Sequence, residues 1–223
     1  MTSESNGVWT LTTPPMRPRF HYYGLLIDGF LANDPNSETC FGWGQPTSGL
    51  EVPDPKLDFY DAKDVPHGEL RVVWYHSKIT GLPRPAYVYT PPDYDRDSQR
   101  RFPVLYLQHG AGESERAWSA QGRVNFIFDT LLAAGRVNPM LIVMDNGYAT
   151  RNNGAQSKAN PPADFASVVT QELIPFIDSR YRTGKSREHR AVAGLSMGAM
   201  QALRVGLAHS DLFSAIGWFS LVG

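Results

Sequence analysis

Arg190-Ala191-Val192-Ala193-Gly194-Leu195-Ser196-Met197-Gly198-Ala199-Met200-Gln201-Ala202-Leu203-Arg204-Val205 decides how this chain is read. Its first four residues have the character of a short buried strand, and Ala199 to Val205 are rich in helix formers. Ser196 stands between them with a glycine two positions to either side. A strand that turns at once into a helix holds the serine in strained backbone, and Cβ atoms at 194 and 198 would clash there. The hydroxyl is then held clear of a sheet at the positive end of a helix, where an oxyanion is stabilised. The pentapeptide alone is a weak signal. In this strand–turn–helix setting it reads as a nucleophile elbow and makes a serine hydrolase the leading interpretation.

Working upstream, Phe102-Pro103-Val104-Leu105-Tyr106-Leu107-Gln108 is a second buried strand that runs straight into His109-Gly110-Ala111-Gly112. An HGxG turn after a central strand is where hydrolases of this kind supply a second oxyanion amide. Met140 to Met144 form a continuous apolar run, as a strand covered on both faces should. Helices are expected around Val124 to Ala134, stopped by Gly135, and from Pro161-Pro162 through an apolar stripe of Phe165, Val168, Val169, Leu173, Phe176 and Ile177. Pro175 should kink the second of these. Strands at 69–75, 84–90 and 215–219 complete the pattern. Alternating strands and helices predict an α/β fold, a mostly parallel sheet with helices on both faces.

Residues 1–55 differ. Val8 to Thr12, Phe20 to Ile27 and Gly49 to Val52 are short β-type runs punctuated by Asp28-Gly29 and Asn33-Asp34-Pro35. This reads as a small all-β segment, followed by a Pro- and Asp-rich linker over 56–66 and the α/β domain over 67–223. Hydrophobic residues make up 42% of the 223 positions and charged ones 19%, enough for an ordinary core. The net charge of −1 points to neither nucleic acid nor an anionic membrane. Cys40 is the only cysteine, so no internal disulfide is possible. No run is apolar enough to span a bilayer, and the first residues lack a signal-peptide core. With neither a zinc-type Cys/His spacing nor a phosphate-binding glycine loop, no metal or cofactor is expected.

A serine nucleophile needs a histidine to take its proton and a carboxylate to orient that histidine. After Ser196 only His209 and Asp211 are available, about 18 Å away at the far end of the elbow helix. His189 lies roughly 20 Å off at the other end of the feeding strand. His109 is close, but its ring is expected to brace the oxyanion loop; His21, His67 and His76 precede the core and have no assigned place. The reading is therefore a chain that stops before its acid and histidine, with little or no esterase activity as it stands.

These residues resemble the esterase D-like branch of the α/β-hydrolases, specifically carbohydrate esterase family 1, which holds feruloyl and acetylxylan esterases. The shared stretches are Ala86 to Pro92, Tyr106 to Glu113, Val143 to Tyr148 and Ala193 to Gly198; Ala199 replaces the glycine more usual after the elbow. Gly7 to Thr10, His21 to Tyr23 and Ile27 to Gly29 resemble the latter half of an immunoglobulin-like carbohydrate-binding module of family 48. The resemblance implies that Ser196 is the acylated nucleophile and that the amides of Met197 and of Ala111, or Gly112, form the oxyanion hole. It also implies that Asn146, Tyr148 and Trp118 line the substrate cleft. Trp9, Tyr23 and Trp43 are candidates for stacking on sugar. The expected partner is a polysaccharide or small ester, encountered outside the cytoplasm. The competing expectations are a siderophore trilactone substrate and a non-catalytic carbohydrate-binding protein with a remnant hydrolase core.

Overall fold

The computed structural model describes residues 1–149 and 165–220. The N-terminal strands are β1 (Thr2–Ser3), β2 (Trp9–Thr10), β3 (Arg19–Tyr23), β4 (Leu25–Ile27), β5 (Phe30–Ala32), β6 (Thr39–Gly42) and β7 (Gln45–Val52). They make three small antiparallel sheets, β1-β2, β3-β7-β6 and β4-β5. Two hairpins close with two-residue loops in the left-handed region. These are Asp28-Gly29 (φ 50° and 86°) between β4 and β5, and Trp43-Gly44 (φ 53° and 77°) between β6 and β7. Two expectations are corrected here. The run from Phe20 to Ile27 is not one strand, because Gly24 divides it into β3 and β4, and only Trp9 and Thr10 of the 8–12 run pair. Strands β5 and β6 were not anticipated; both are short and surrounded by turn residues.

After a stretch of turns, the core elements follow. They are β8 (Glu69–Ser77), β9 (Leu82–Thr90), β10 (Val104–Gln108), α1 (Ala117–Ala120), α2 (Val124–Ala133), β11 (Leu141–Asp145), α3 (Phe165–Ser167), a π-helical turn (Val168–Leu173), α4 (Ile174–Arg180), β12 (Arg190–Leu195), α5 (Met197–Ala208) and β13 (Ala215–Phe219). One sheet holds them in the order β13-β12-β10-β11-β9-β8. Its first four strands are parallel, and β9 and β8 join antiparallel as a hairpin.

The sheet is covered on both faces, and the alternation of side chains shows how. Leu141 and Val143 pack with Val104, Tyr106 and Val192 against Phe165, Val168, Leu173 and Ile177. Their neighbours Ile142 and Met144 point the other way, to Leu107, Phe128 and Leu132. Fully burying each such aliphatic side chain contributes about 1.5–3 kcal/mol, so this double layer dominates stability. Pro175 acts as expected but more locally than a simple kink. Without an N–H it cannot continue the 3.6-residue ladder, and the backbone widens into the π turn just before α4 begins. Pro161-Pro162, the anticipated start of this helix, lie outside the described residues.

Candidate active site

Ser196 occupies φ 51°, ψ −110°, a conformation that costs a non-glycine residue of order 1–3 kcal/mol. The two glycines explain how the turn closes. A Cβ at Gly194 would lie 2.3 Å from the carbonyl of Gly198, and a Cβ at Gly198 would lie 2.6 Å from the carbonyl oxygens of both Gln108 and His109. All of these are backbone atoms that cannot swing aside. The elbow thus packs backbone to backbone on the end of β10, which sets the HGxG loop directly beside the serine. Ser196 N–H donates to the Phe219 carbonyl (3.0 Å), and its own carbonyl accepts from Met200 N–H (3.1 Å), opening α5. The Met197 amide is left among the unpaired donors of a twelve-residue helix N-terminus, where negative charge is favoured. Ser196 is half-buried, so its hydroxyl is not sealed under packed side chains.

The loop from His109 to Glu113 is tied on three sides. His109 is buried, its Nδ1 2.7 Å from the Gly110 carbonyl and its Nε2 accepting from Gly147 N–H at 2.9 Å. This pattern requires the neutral ring, and burial pushes the His109 pKa down. The bracing role expected of it is what its contacts describe. Gln201 of α5 completes the tie by donating to the Gly147 carbonyl (2.8 Å). Glu113 accepts from Gly110 N–H (2.9 Å) and from the Tyr22 hydroxyl (3.3 Å). Burial pushes the Tyr22 phenol up to about 12, so it stays a donor. Gly112 N–H donates to the Tyr148 hydroxyl (2.6 Å), and the Gly112 carbonyl accepts from Gly44 N–H (2.9 Å). Of the two amides anticipated for the second half of an oxyanion hole, that of Gly112 is already engaged.

Beside this loop lies a cleft of about 720 Å³ lined by Asn146, Tyr148, Gly112, Arg84, Glu115 and Phe41 among others. Asn146 donates to Glu115 (2.7 Å) and accepts from Tyr148 N–H (2.9 Å), which fixes its amide. Arg84 reaches in from β9 with its charge held by the buried Asp145 (2.8 Å), and it donates to the Tyr75 hydroxyl (3.0 Å) and the Asn146 carbonyl. Complete burial pushes the Asp145 carboxyl up, with Arg84 pulling against it. Trp118 takes a different place. Its indole N–H donates to the Gln108 carbonyl (2.8 Å), and its ring sits 5.5 Å from Phe219, on the β13 side of the elbow.

Arg84, Glu113, Gln201 and Tyr22 were not singled out from sequence. Arg84 had a signal, a lone cation inside an apolar strand; the others gave none. Trp9 and Trp43 are mostly exposed, whereas Tyr23 is half-buried with its hydroxyl on Asp34 (2.8 Å). Among the described residues no histidine hydrogen-bonds Ser196. His209 caps the far end of α5, His189 precedes β12, His67 binds Asp129, His21 binds the Arg17 carbonyl, and His76 lies exposed on β8. The described residues also contain no cluster suited to a metal ion and no helix long and apolar enough to cross a membrane.

A parallel sheet with an antiparallel hairpin at one edge, and a strained serine between two glycines at the end of a central strand, define an α/β-hydrolase. The family model described as "Putative esterase" matches residues 77–222, and the chain belongs to that family. It is 40% identical to an endo-1,4-beta-xylanase/feruloyl esterase of Xylanibacter ruminicola over 99% of this chain and 31% of that protein. It is 24% identical to the iron(III) enterobactin esterase of Escherichia coli over 96% of this chain and 52% of that protein. A CE1 ferulic acid esterase from Anaeromyces mucronatus superposes with a TM-score of 0.67 at 27% identity, covering 75% of this chain and 65% of its own. The chain thus spans about a third to two thirds of the length of these relatives.

Proposed function

We propose that this chain carries the nucleophile and oxyanion hole of a carboxylic ester hydrolase acting on feruloyl or acetyl esters of plant cell-wall polysaccharide. The observation that carries the reading is the elbow: Ser196 in its strained turn, held backbone to backbone against the loop that follows β10. The Ser196 hydroxyl oxygen attacks the acyl carbonyl, and the N–H groups of Met197 and Ala111 receive the developing oxyanion. The alcohol leaves, an ester to Ser196 remains, and water releases the acid. The proton acceptor for Ser196 is not among the described residues. Greater similarity to the feruloyl esterases than to the enterobactin esterase favours the plant-wall substrate over a trilactone. Such substrates place the protein outside the cytoplasm.

The test supplies the missing base. With imidazole added, the wild-type chain should release nitrophenol from 4-nitrophenyl ferulate faster than Ser196→Ala. Equal rates in the two proteins would refute the proposal.

A further inference from the structure

We propose that Arg84 is a positioning residue of the esterase site: its guanidinium holds the turn that follows β11, and that turn orients the loop from His109 to Gly112. The proposal rests on the esterase reading and names a residue that acts through the groups around Ser196.

The sheet register brings the guanidinium to that turn. Ala86 of β9 pairs with Asp145, the last residue of β11, and Arg84 of β9 pairs with Tyr75 of β8. Paired residues, and residues two apart on one strand, share a face of the sheet, so Tyr75, Arg84 and Asp145 stand together. Arg84 lies just past the end of β11, level with the turn. It is 6% exposed, and its planar fork of donors is almost fully engaged. Nε donates to the Tyr75 hydroxyl (3.0 Å), Nη2 to the Asp145 carboxylate (2.8 Å) and to the Asn146 carbonyl, and Nη1 lies 3.5 Å from the Tyr148 carbonyl.

The other polar groups of the turn reach the site. The Asn146 amide donates to Glu115 (2.7 Å), Gly147 N–H to His109 Nε2 (2.9 Å), and the Tyr148 hydroxyl accepts from Gly112 N–H (2.6 Å). With Nε2 accepting, His109 carries its proton on Nδ1 and donates it to the Gly110 carbonyl (2.7 Å). In a trans peptide the Gly110 carbonyl and the Ala111 N–H point opposite ways, so fixing one aims the other. A chain of contacts thus runs from Arg84 through Gly147 and His109 to the Ala111 amide. Stability alone does not account for the ion pair at its start. Taking a guanidinium and a carboxylate out of water is costly, and apolar side chains of similar size often hold a core as well or better. This pair sits where the sheet ends and the cleft begins, and both carbonyls that Arg84 faces belong to the turn.

Acetylation of Ser196 by p-nitrophenyl acetate with imidazole, followed by mass spectrometry over a series of ester concentrations, tests this in wild type, Arg84→Met, Arg84→Lys and Asp129→Ala. Asp129→Ala disrupts a buried network that touches none of these groups and controls for lost stability. Circular dichroism establishes that each protein is folded under the assay conditions. Arg84→Met should lower the limiting rate about tenfold and leave the half-saturating ester concentration unchanged. Arg84→Lys keeps the charge beside Asp145 without the planar fork and should fall in between. Asp129→Ala should stay within about twofold of wild type. Arg84→Met at the wild-type rate, or slowed no more than Asp129→Ala, would overturn the proposal and leave the esterase reading intact. If Arg84→Met does not fold, Arg84→Lys decides: a loss of about threefold or more upholds the proposal, and an unchanged rate overturns it. Wild type that takes no acetyl group on Ser196 would remove both the esterase reading and the role of Arg84.

Discussion

Replacing Gly198 by alanine puts the elbow geometry to a quantitative test. The new methyl carbon would stand 2.6 Å from two carbonyl oxygens, and ordinary contact begins at 3.4 Å, so the start of α5 and the end of β10 must part by about 0.8 Å. Both sides are backbone held by sheet and helix hydrogen bonds, so there is no side chain to rotate away. Overpacking of this kind costs about 1–3 kcal/mol, and the upper half of that range is expected where only backbone can yield. At this chain length about 2–3 kcal/mol corresponds to a fall in Tm of roughly 4–12 °C. Gly147→Ala is the control. Its added carbon meets only the ends of the Gln201 and Met197 side chains, at 2.9 and 3.1 Å, and these can move at a cost of about 1 kcal/mol or less. Urea unfolding of the three proteins gives the comparison. Gly198→Ala within about 0.5 kcal/mol of wild type, or Gly147→Ala losing as much, would refute the steric account.

Other outcomes follow from the same contacts. Because burial lowers the His109 pKa, the unfolded chain binds a proton that the folded one refuses; this part of the stability is complete above about pH 6.5 and is lost as pH falls below it. Urea titrations from pH 7.5 to 5 should show that slope in wild type and a shallower one in His109→Gln. Asp129 is buried and accepts from Tyr89 (2.6 Å), Gly68 N–H (2.9 Å) and His67 (2.8 Å), so Asp129→Ala strands donors and should cost about 3 kcal/mol by the same assay. A loss below about 1 kcal/mol would show that water replaces those contacts. Without added base, p-nitrophenyl acetate turnover by wild type should match that of Ser196→Ala; rapid turnover abolished by the substitution would disprove it.

The elbow and the HGxG loop were legible in the sequence because each depends on glycine for a specific close approach, and such requirements leave a fixed spacing. The buried strands were legible for a similar reason: Leu141 to Met144 are apolar at every position because both faces are covered. The ties between these elements were not. Glu113 to Tyr22, Gln201 to Gly147 and Gly44 to Gly112 join residues far apart in sequence, and nothing local marks which polar group will meet which. The same holds for the cleft, whose walls come from four separate stretches, residues 41–44, 82–85, 112–116 and 146–148. Gly24 escaped notice because a glycine within an apolar run fits a strand as readily as a break. The π turn before Pro175 shows that the missing N–H was visible, but not how the backbone would absorb it.

Acyl transfer to one side chain tests the account most directly. The protein would be incubated with p-nitrophenyl acetate and imidazole, digested, and its acetylated peptides identified by mass spectrometry. A single acetyl group on Ser196, absent when that residue is alanine, is the predicted result. Acetylation confined to lysines, or labelling that leaves Ser196 untouched, would contradict it.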